Sequence, residues 1–240
     1  MKVFIFYGNR VEEGSASSLF LEMLVEQLKN NQEIEDIVLR SSNNTKLGFM
    51  NTWKDVLSLD EDAERRQIKE EILAADVFIF LSPVYLHNVS GFAKVFLDNF
   101  ASWSHTMPLI GKVGVPISLS SSNGNVFVND YLYKILSYWG LSTVKPMSVE
   151  LSSVQREALP SYVRFIVRNI LEAGSSPEAL TNKMQEDAYK VNREAILSYP
   201  ENHPERIEFE QYGNVASESF REALADKLNQ ITESRLQPVS

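Results

Sequence analysis

The segment from Gly8 to Leu19 combines residue types that could hold a phosphate group. It follows the apolar run Val3–Tyr7 and opens into a helical pattern, so backbone amides and the positive end of the helix dipole would face an anion there. The side chains that could add charge and hydroxyl groups are Arg10, Ser15, Ser17 and Ser18. The segment matches neither Gly-x-Gly-x-x-Gly nor the Walker pattern, since no Lys-Ser/Thr pair follows Gly14. A serine-capped helix without a ligand is the alternative.

A second candidate segment, Leu81–Asp98, joins an apolar strand to a helix through proline, aromatic and glycine residues. Asp76–Leu81 is typical of a fully buried strand, and Pro83, which has no N–H to donate, is expected to end its pairing. Tyr85 then lies just beyond the carboxyl end of the strand, where open α/β sheets bind ligands. The alternative is a plain strand-to-helix turn with Ser90 as the helix cap.

Small polar residues form a third candidate segment, Ser118–Asn125, between a predicted strand and a predicted helix. Residues of this size let a planar ring approach the backbone, and they include Ser120, Ser121, Ser122, Asn123 and Gly124. Alone, this segment is weak evidence. Three segments at the carboxyl ends of three parallel strands converge on one crevice, however, and together they predict a single binding site.

Alternating strand and helix patterns supply the scaffold for these segments. The predicted strands are Val3–Tyr7, Ile34–Leu39, Val77–Leu81, Lys112–Leu119 and Ser142–Glu150, and the predicted helices are Ser17–Lys29, Ala63–Ala75, Gly91–Trp103 and Val126–Trp139. This alternation predicts an α/β fold with a doubly wound, parallel, five-stranded sheet in the order 2-1-3-4-5. The connection Asn43–Leu59, which contains Phe49, Met50 and Trp53, is interpreted as a surface loop with aromatic anchors. A substrate-facing lid is the alternative.

Residues 151–240 exceed what a sheet domain of residues 1–150 requires, and they are predicted to form a helical extension. It contains a helical apolar face (Tyr162, Phe165, Ile166, Ile170 and Leu171), a helix from Pro177 to about Leu197, a break at Tyr199–Pro204 and a last helix at Val215–Ile231. Packing, dimerisation or substrate contact is its expected role. The tail to Ser240 is expected to be loose.

The second segment resembles a known family. Its pattern of Ser-Pro-Val-Tyr, four residues, Ser-Gly, two residues, Lys and later Leu-Asp is similar to that of the NAD(P)H-dependent FMN reductase family, in the flavodoxin-like superfamily. The resemblance implies FMN as the cofactor and NADPH or NADH as the hydride donor. It also implies that Pro83 and Tyr85 pack near the flavin ring, while the pyrimidine edge is bound by the amides of Val84, Tyr85, Leu86, His87 and Asn88.

The same resemblance extends to the other two segments. It implies that Arg10, Ser15, Ser17 and Ser18 contact the FMN phosphate and that Ser120–Gly124 contact the opposite side of the ring. The chain departs from the family at Ala16, where a hydroxyl is usual, and at His87, where Gly or a small polar residue is frequent. An imidazole there could touch the substrate, so His87 is the candidate catalytic residue; a helix cap or a solvent-facing side chain is the alternative.

Composition and charge exclude several functions. Lys+Arg 23 against Asp+Glu 32 gives a net charge of −9, which would repel nucleic acid. Without cysteine, the chain has no disulfide, thiolate metal site or catalytic thiol. The histidines, at 87, 105 and 203, are too scattered to predict a metal site. No signal peptide and no run of about 18 apolar residues is evident, so no membrane partner is expected and the predicted location is cytoplasmic.

Together these features predict an FMN-dependent oxidoreductase that takes hydride from NADPH or NADH and reduces a small-molecule or peptide electron acceptor. The resemblance implies quinones, free flavins, nitro or azo compounds, or activated C=C bonds such as dehydroamino acids in peptides. It also implies at least a homodimer, with flavin sites completed by a neighbouring subunit.

Two alternatives stay open, a flavodoxin-type electron carrier and a flavodoxin-like protein that binds no flavin. The phosphate loop of a carrier usually contains Thr/Ser-x-Thr-Gly-x-Thr, which this chain lacks. The appended helices would, moreover, be expected to crowd a carrier's flavin edge.

Overall fold

The computed structural model describes residues 1–152 and 157–236, and a parallel sheet lies at its centre. Its strands are β1 (Lys2–Tyr7), β2 (Asp36–Arg40), β3 (Val77–Tyr85), β4 (Asn88–Val89), β5 (Val113–Ser120), β6 (Ser142–Thr143) and β7 (Met147–Glu150). The order is β2-β1-β3-β5, with β6 and β7 both parallel to β5 at one edge, while β4 forms an antiparallel hairpin with β3. With β6 and β7 counted as one interrupted strand, the predicted flavodoxin-like order 2-1-3-4-5 is confirmed.

Two strands of alternating residue type form the centre of the core. Ile5 lies beside Ile79, and Phe6 beside Phe80, in the parallel register of β1 and β3. Because successive side chains point to opposite faces, one face of the sheet is aliphatic and the other is rich in phenylalanine. The Phe6 ring lies 4.8 Å from the Phe80 ring and 3.9 Å from that of Phe96 on the helix above it.

Helices cover both faces of the sheet. They are α1 (Ala16–Lys29), α2 (Trp53–Leu57), α3 (Ala63–Ala74), α4 (Gly91–Asn99), α5 (Trp103–Thr106), α6 (Asn125–Tyr138), α7 (Leu159–Ser175), α8 (Lys183–Leu197), α9 (Pro204–Gln211) and α10 (Phe220–Leu236), with short 3₁₀ helices at Leu59–Glu61 and Pro177–Leu180. α1 and α7 pack on the aliphatic face, and α3, α4 and α6 pack on the aromatic face. α7 therefore contributes to the core of the sheet, although Phe165, predicted to lie on its apolar face, is 48% exposed.

β3 continues through Pro83 to Tyr85, so the expectation that Pro83 ends pairing is wrong. Pro83 lies beside Leu119 of β5. On the other side of β3, the pairing with β1 ends at Tyr7 and Leu81. Pro83 lies beyond that last pair, so its lack of an N–H breaks no hydrogen bond to β1.

Several predicted boundaries also differ from the structure. The helix predicted at Gly91–Trp103 ends at Asn99 and resumes as α5, and Val144–Pro146 interrupts the last strand. The helix expected from Pro177 is a 3₁₀ turn followed by α8, whose cap, Asn182, forms a capping box with Gln185. α9 begins at the proline that was interpreted as part of a break, because proline is well tolerated in the first helical turn. The predicted tail beyond residue 236 lies outside the described residues.

α8, α9 and α10 pack at the amino-terminal end of β5, around α5 and the segment 107–110. The Asn214 side chain donates to the carbonyl oxygens of Thr106 (2.9 Å) and Met107 (3.3 Å), and Gln185 donates to that of Leu141 (2.8 Å). These three helices therefore lie away from the carboxyl ends of the strands and do not support the expectation that the appended helices crowd a carrier's flavin edge. None of the helices in the described ranges has the length and hydrophobicity needed to cross a membrane.

Candidate functional site

The three predicted segments come together at the carboxyl ends of β1, β3 and β5. Gly8 donates its amide to the Leu81 carbonyl (2.7 Å), and the Ser90 hydroxyl donates to the Gly8 carbonyl. Gly8 must be a glycine, since a Cβ there would lie 2.8 Å from that of Ala93 on α4. The Asn9 side chain also donates to the Tyr85 hydroxyl (3.3 Å). The first and second segments thus form one continuous surface.

Three hydroxyl groups line the start of α1. The buried Tyr7 hydroxyl donates to Ser17 Oγ (2.8 Å), and Ser17 Oγ lies 2.9 Å from Ser15 Oγ. The three hydroxyl groups have three protons and make two hydrogen bonds among themselves, so one proton remains that can be donated to a ligand. Ser15 occupies the cap position, yet its side chain makes no capping bond, and no acidic residue lies in the first turn. The uncapped amides of this turn are suited to an anion.

Arg10 is exposed, and within the described ranges its guanidinium makes no hydrogen bond or ion pair, so it is available to a ligand. Ser18 differs, because it is 1% exposed and its hydroxyl accepts the Glu12 amide (2.9 Å). This buried hydrogen bond fixes the loop to the start of α1. A direct contact between Ser18 and a phosphate stays a prediction.

Asn43, which follows β2, braces the first segment, Gly8–Leu19, which we call the phosphate loop after its predicted role; Asn43 was not among the predicted site residues. Its amide side chain accepts the Val11 N–H (2.7 Å) and donates to the Val11 carbonyl (3.2 Å). Behind it, Arg40 donates to the Asn44 carbonyl (3.1 Å) and pairs with Glu71, whose hydrogen bond raises the pKa of the Arg40 guanidinium. The polar run after strand two, at the same edge as the other loops, was the available sequence signal. The adjoining 43–59 connection places Trp53 against His105, 5.3 Å between rings, which supports an anchored surface loop.

A β-hairpin with a two-residue turn lies within the second segment, which was predicted to join a strand to a helix without one. Val84 pairs with Val89 and Tyr85 with Asn88. Leu86 (φ 51°) and His87 (φ 59°) occupy the turn, both in the left-handed region that Asn-Gly normally fills. Two non-glycine residues in this conformation cost roughly 1–2 kcal/mol each. Strain of this kind concentrates at functional sites.

His87 links the second segment to the third. Its Nε2 lies 3.1 Å from Asn123 Oδ1, and its ring stacks on Phe127 at 5.3 Å and 12°. A Cβ at Gly124 (φ +86°) would approach His87 Cδ2 and Val84 Cγ1 to 2.8 Å, so only glycine fits. The alternative role of His87 as a helix cap is wrong, because Ser90 caps α4 by accepting the Ala93 amide (3.0 Å).

Hydrogen bonds anchor the inner side of the third segment, and its outer side is exposed to solvent. Ser118 donates to Asn125 Oδ1, and Asn125 donates to Ser120 Oγ, both at 2.8 Å, so the Ser120 side chain faces inward. The Ser120 carbonyl accepts the amide of Leu151 (2.8 Å). The exposed residues of this segment are Ser121, Ser122 and Asn123.

Four exposed apolar side chains lie on the hairpin and at the start of α6, beside the predicted crevice, and we call them the apolar rim. They are Tyr85 (53% exposed), Leu86 (101%), Val126 (65%) and Phe127 (59%). Leu86 gains nothing from burial within this chain and adopts an unfavourable backbone conformation. Its position therefore favours a role in contact with another molecule.

The arrangement fits FMN in two respects. An uncapped helix start with a spare hydroxyl proton, beside a guanidinium that no residue in the described ranges binds, suits one phosphate. The exposed polar and apolar groups of the hairpin and the third segment suit a flat heterocycle. Both lie along the carboxyl edge of three adjacent strands. The predicted assignments of individual residues to phosphate and ring stay predictions.

Known proteins resemble this chain in sequence and in structure. Residues 1–155 match the family model "NADPH-dependent FMN reductase", and this matched range includes all three segments. An iron-sulfur flavoprotein of Archaeoglobus fulgidus is 28% identical over 149 residues, which are 60% of this chain and 66% of that protein's length. A putative quinone reductase from Klebsiella pneumoniae is similar in structure, with a TM-score of 0.56 at 14% identity over 72% of this chain and 84% of that one. An NADH:FMN oxidoreductase, EMOB, in its apo form has a TM-score of 0.51 at 17% identity over 70% and 89%.

Proposed function

Because the chain belongs to the NADPH-dependent FMN reductase family and is an NAD(P)H-dependent FMN oxidoreductase, we propose that its acceptor is a flat, apolar organic molecule of the quinone type. The apolar rim carries this proposal. A planar acceptor gains most by stacking on aromatic and aliphatic groups beside the flavin ring. Of the rim residues, Tyr85 and Leu86 belong to the hairpin that borders the crevice.

Bound FMN supplies the redox chemistry, since a flavin can take up hydride from a nicotinamide and pass reducing equivalents to a second substrate. The chain supplies binding and orientation. Arg10, Ser15 and Ser17 would hold the phosphate, and the hairpin amides together with Ser120–Gly124 would hold the ring. The contact of Asn9 with Tyr85 would keep the phosphate and ring ends of the site in fixed relation.

We propose His87 as the residue that handles the acceptor. Its Nε2–H can donate to Asn123 Oδ1 (3.1 Å), which leaves Nδ1 as an acceptor in the neutral ring and as a donor in the imidazolium. The same hydrogen bond ties the third segment to the hairpin. His87 would therefore both position the ring pocket and present Nδ1 to the substrate.

We also propose at least a homodimer acting in the cytoplasm. An apolar rim with a fully exposed leucine supports a neighbouring subunit over the crevice, and a chain without cysteine suits a reducing compartment. Light scattering at the 27.3 kDa monomer mass would contradict the dimer, and cell fractionation tests the location.

The acceptor proposal is tested by steady-state NADPH and NADH oxidation with menadione, a nitroarene, an azo dye, free FMN and a dehydroalanine-containing peptide. We expect the highest kcat/KM for menadione. A higher value for the peptide would replace the quinone proposal. A yellow protein that releases FMN on heating but barely oxidises either nucleotide would instead indicate an electron carrier, and failure to retain flavin would indicate a protein without flavin function.

The role of His87 is tested by stopped-flow measurement of the two half-reactions. We expect His87→Ala to slow oxidation by menadione and to change the NADPH half-reaction little. His203→Ala is the matched control, because His203 lies before α9, far from the crevice. Equal oxidative rates in parent and variant would remove His87 from the catalytic residues, and a loss of FMN affinity alone would leave it a positioning residue.

A further inference from the structure

A cavity of about 590 Å³ lies at the β6–β7 edge of the sheet, between α7 and the 3₁₀ helix Pro177–Leu180. It forms because Val144–Pro146 interrupts the edge strand, and Pro146 has no N–H with which to continue pairing. No residue known to line it belongs to the phosphate loop, the hairpin or the third segment. The cavity is therefore separate from the proposed flavin site.

The walls of the cavity are mostly apolar and include a flat aromatic surface. Tyr162 and Phe165 on α7 stack at 6.4 Å with an interplanar angle of 22°. The Tyr162 hydroxyl donates to the Ser148 carbonyl (2.8 Å), which fixes the tyrosine ring against β7. Met147 and Leu180 complete the wall. A volume in this range with apolar walls and few polar groups is typical of small-molecule sites.

The charged side chains known to line the cavity are Lys145 and Glu172, and the Glu172 carboxylate is paired with an arginine outside the lining. Glu172 lies 3.7 Å from Arg168, whose guanidinium also lies over the Phe165 ring at 5.6 Å. Lys145 lines the cavity, and its ammonium has no hydrogen bond or ion pair with any residue in the described ranges. Because the chain as a whole carries a charge of −9, non-specific attraction of anions elsewhere on the surface is weak.

We infer that this cavity binds a small organic anion with a flat apolar body, its ring stacked on Tyr162 and Phe165 and its anionic group beside Lys145. Aromatic stacking favours a planar body over an aliphatic chain of equal size. The exposed ammonium adds a preference for a negative charge over an isosteric neutral group. An ion pair at such an exposed site is expected to change affinity by up to about fivefold.

The test uses the FMN-loaded protein with 2-naphthoate and its uncharged counterpart 2-naphthamide, titrated by ligand-observed NMR. We expect saturable binding of both, with naphthoate bound roughly two- to fivefold more tightly. Lys145→Met should abolish that preference. The matched control is Lys190→Met, an exposed lysine on α8 that does not line the cavity, and it should keep the preference.

A cavity-filling variant locates the site. Ala179→Trp should weaken both ligands while FMN content and melting temperature stay at parent values, because Ala179 lines the cavity. Should that variant fail to fold, Phe165→Ala, at a half-exposed position, should weaken both ligands and keep the charge preference. Absence of saturable binding, equal affinity for the two ligands, or unchanged binding in the folded cavity variant would each overturn the inference.

Discussion

The brace between Asn43 and the phosphate loop should control FMN affinity. Asn43→Ala removes two hydrogen bonds to the loop, to the N–H and to the carbonyl of Val11, besides a local one donated by the Ser41 hydroxyl (3.2 Å). Each contributes roughly 0.5–1.5 kcal/mol net, and water can partly replace them because Val11 is only half-buried. We therefore expect FMN binding to weaken by about 1–2 kcal/mol, or roughly 5–30-fold in Kd. The loss arises because binding must then order the loop.

Flavin fluorescence titration of flavin-free protein measures this effect. Riboflavin, which has no phosphate, should bind parent and variant equally, so the ratio of FMN to riboflavin affinity isolates the loop. Asn31→Ala is the matched control, since Asn31 makes a similar bond to the Glu33 amide (2.9 Å) away from the site. An unchanged FMN Kd would refute the brace, and an equal loss for riboflavin would show that Asn43 acts on the whole fold instead.

Three further perturbations follow from the structure. Arg10→Ala combined with Ser15→Ala should weaken FMN roughly 10–100-fold by removing phosphate contacts, with riboflavin binding and the melting temperature unchanged. Tyr189→Phe should lower the free energy of unfolding by about 1 kcal/mol at pH 7 in urea titrations, since its hydroxyl donates to a buried carbonyl (2.5 Å). Burial raises the pKa of Tyr189 from 10.0 to about 12, so this stabilisation is complete below pH 10 and should disappear as pH rises towards 12. Leu86→Asn combined with His87→Gly should relieve the strain of the hairpin turn and raise the free energy of unfolding by about 1 kcal/mol, while reducing turnover with menadione. A lower melting temperature in this variant would show that the turn is not strained.

The sequence predicted the sheet and the meeting of the three segments at one edge because both depend on short-range patterns. Alternating Val-Phe-Ile-Phe runs specify two neighbouring buried strands, and loops after parallel strands meet at one edge whatever their detailed shape. The serine-rich segment before α1 likewise indicated a helix start from composition alone. These inferences needed no knowledge of which distant residues touch.

The remaining features depend on contacts that no local pattern encodes. Asn214 binds the carbonyl of Thr106 across 108 positions, and such packing decides where α8–α10 lie. The Leu86–His87 turn contradicts ordinary turn chemistry, which favours Asn-Gly. The contacts of His87 with Asn123 and Phe127, formed only in the folded chain, help to hold it. Long-range contacts thus override local preference at the site itself.

Each loop of the predicted site is fixed by a hydrogen bond within the chain, without a ligand. The Ser90 hydroxyl binds the Gly8 carbonyl, Asn125 binds Ser120, and Asn43 binds the phosphate loop. Groups that make no such bond to any residue in the described ranges include the Arg10 guanidinium and one hydroxyl proton at the start of α1. Because the loops are already ordered, little of the free energy of binding is lost in ordering them. The contacts of these groups with a ligand therefore contribute almost entirely to affinity. Strain at the hairpin persists because the bonds of Ser90 and Asn125 fix the loops around it, so substitutions in those two bonds should loosen the hairpin, whereas Asn43→Ala should loosen the phosphate loop alone.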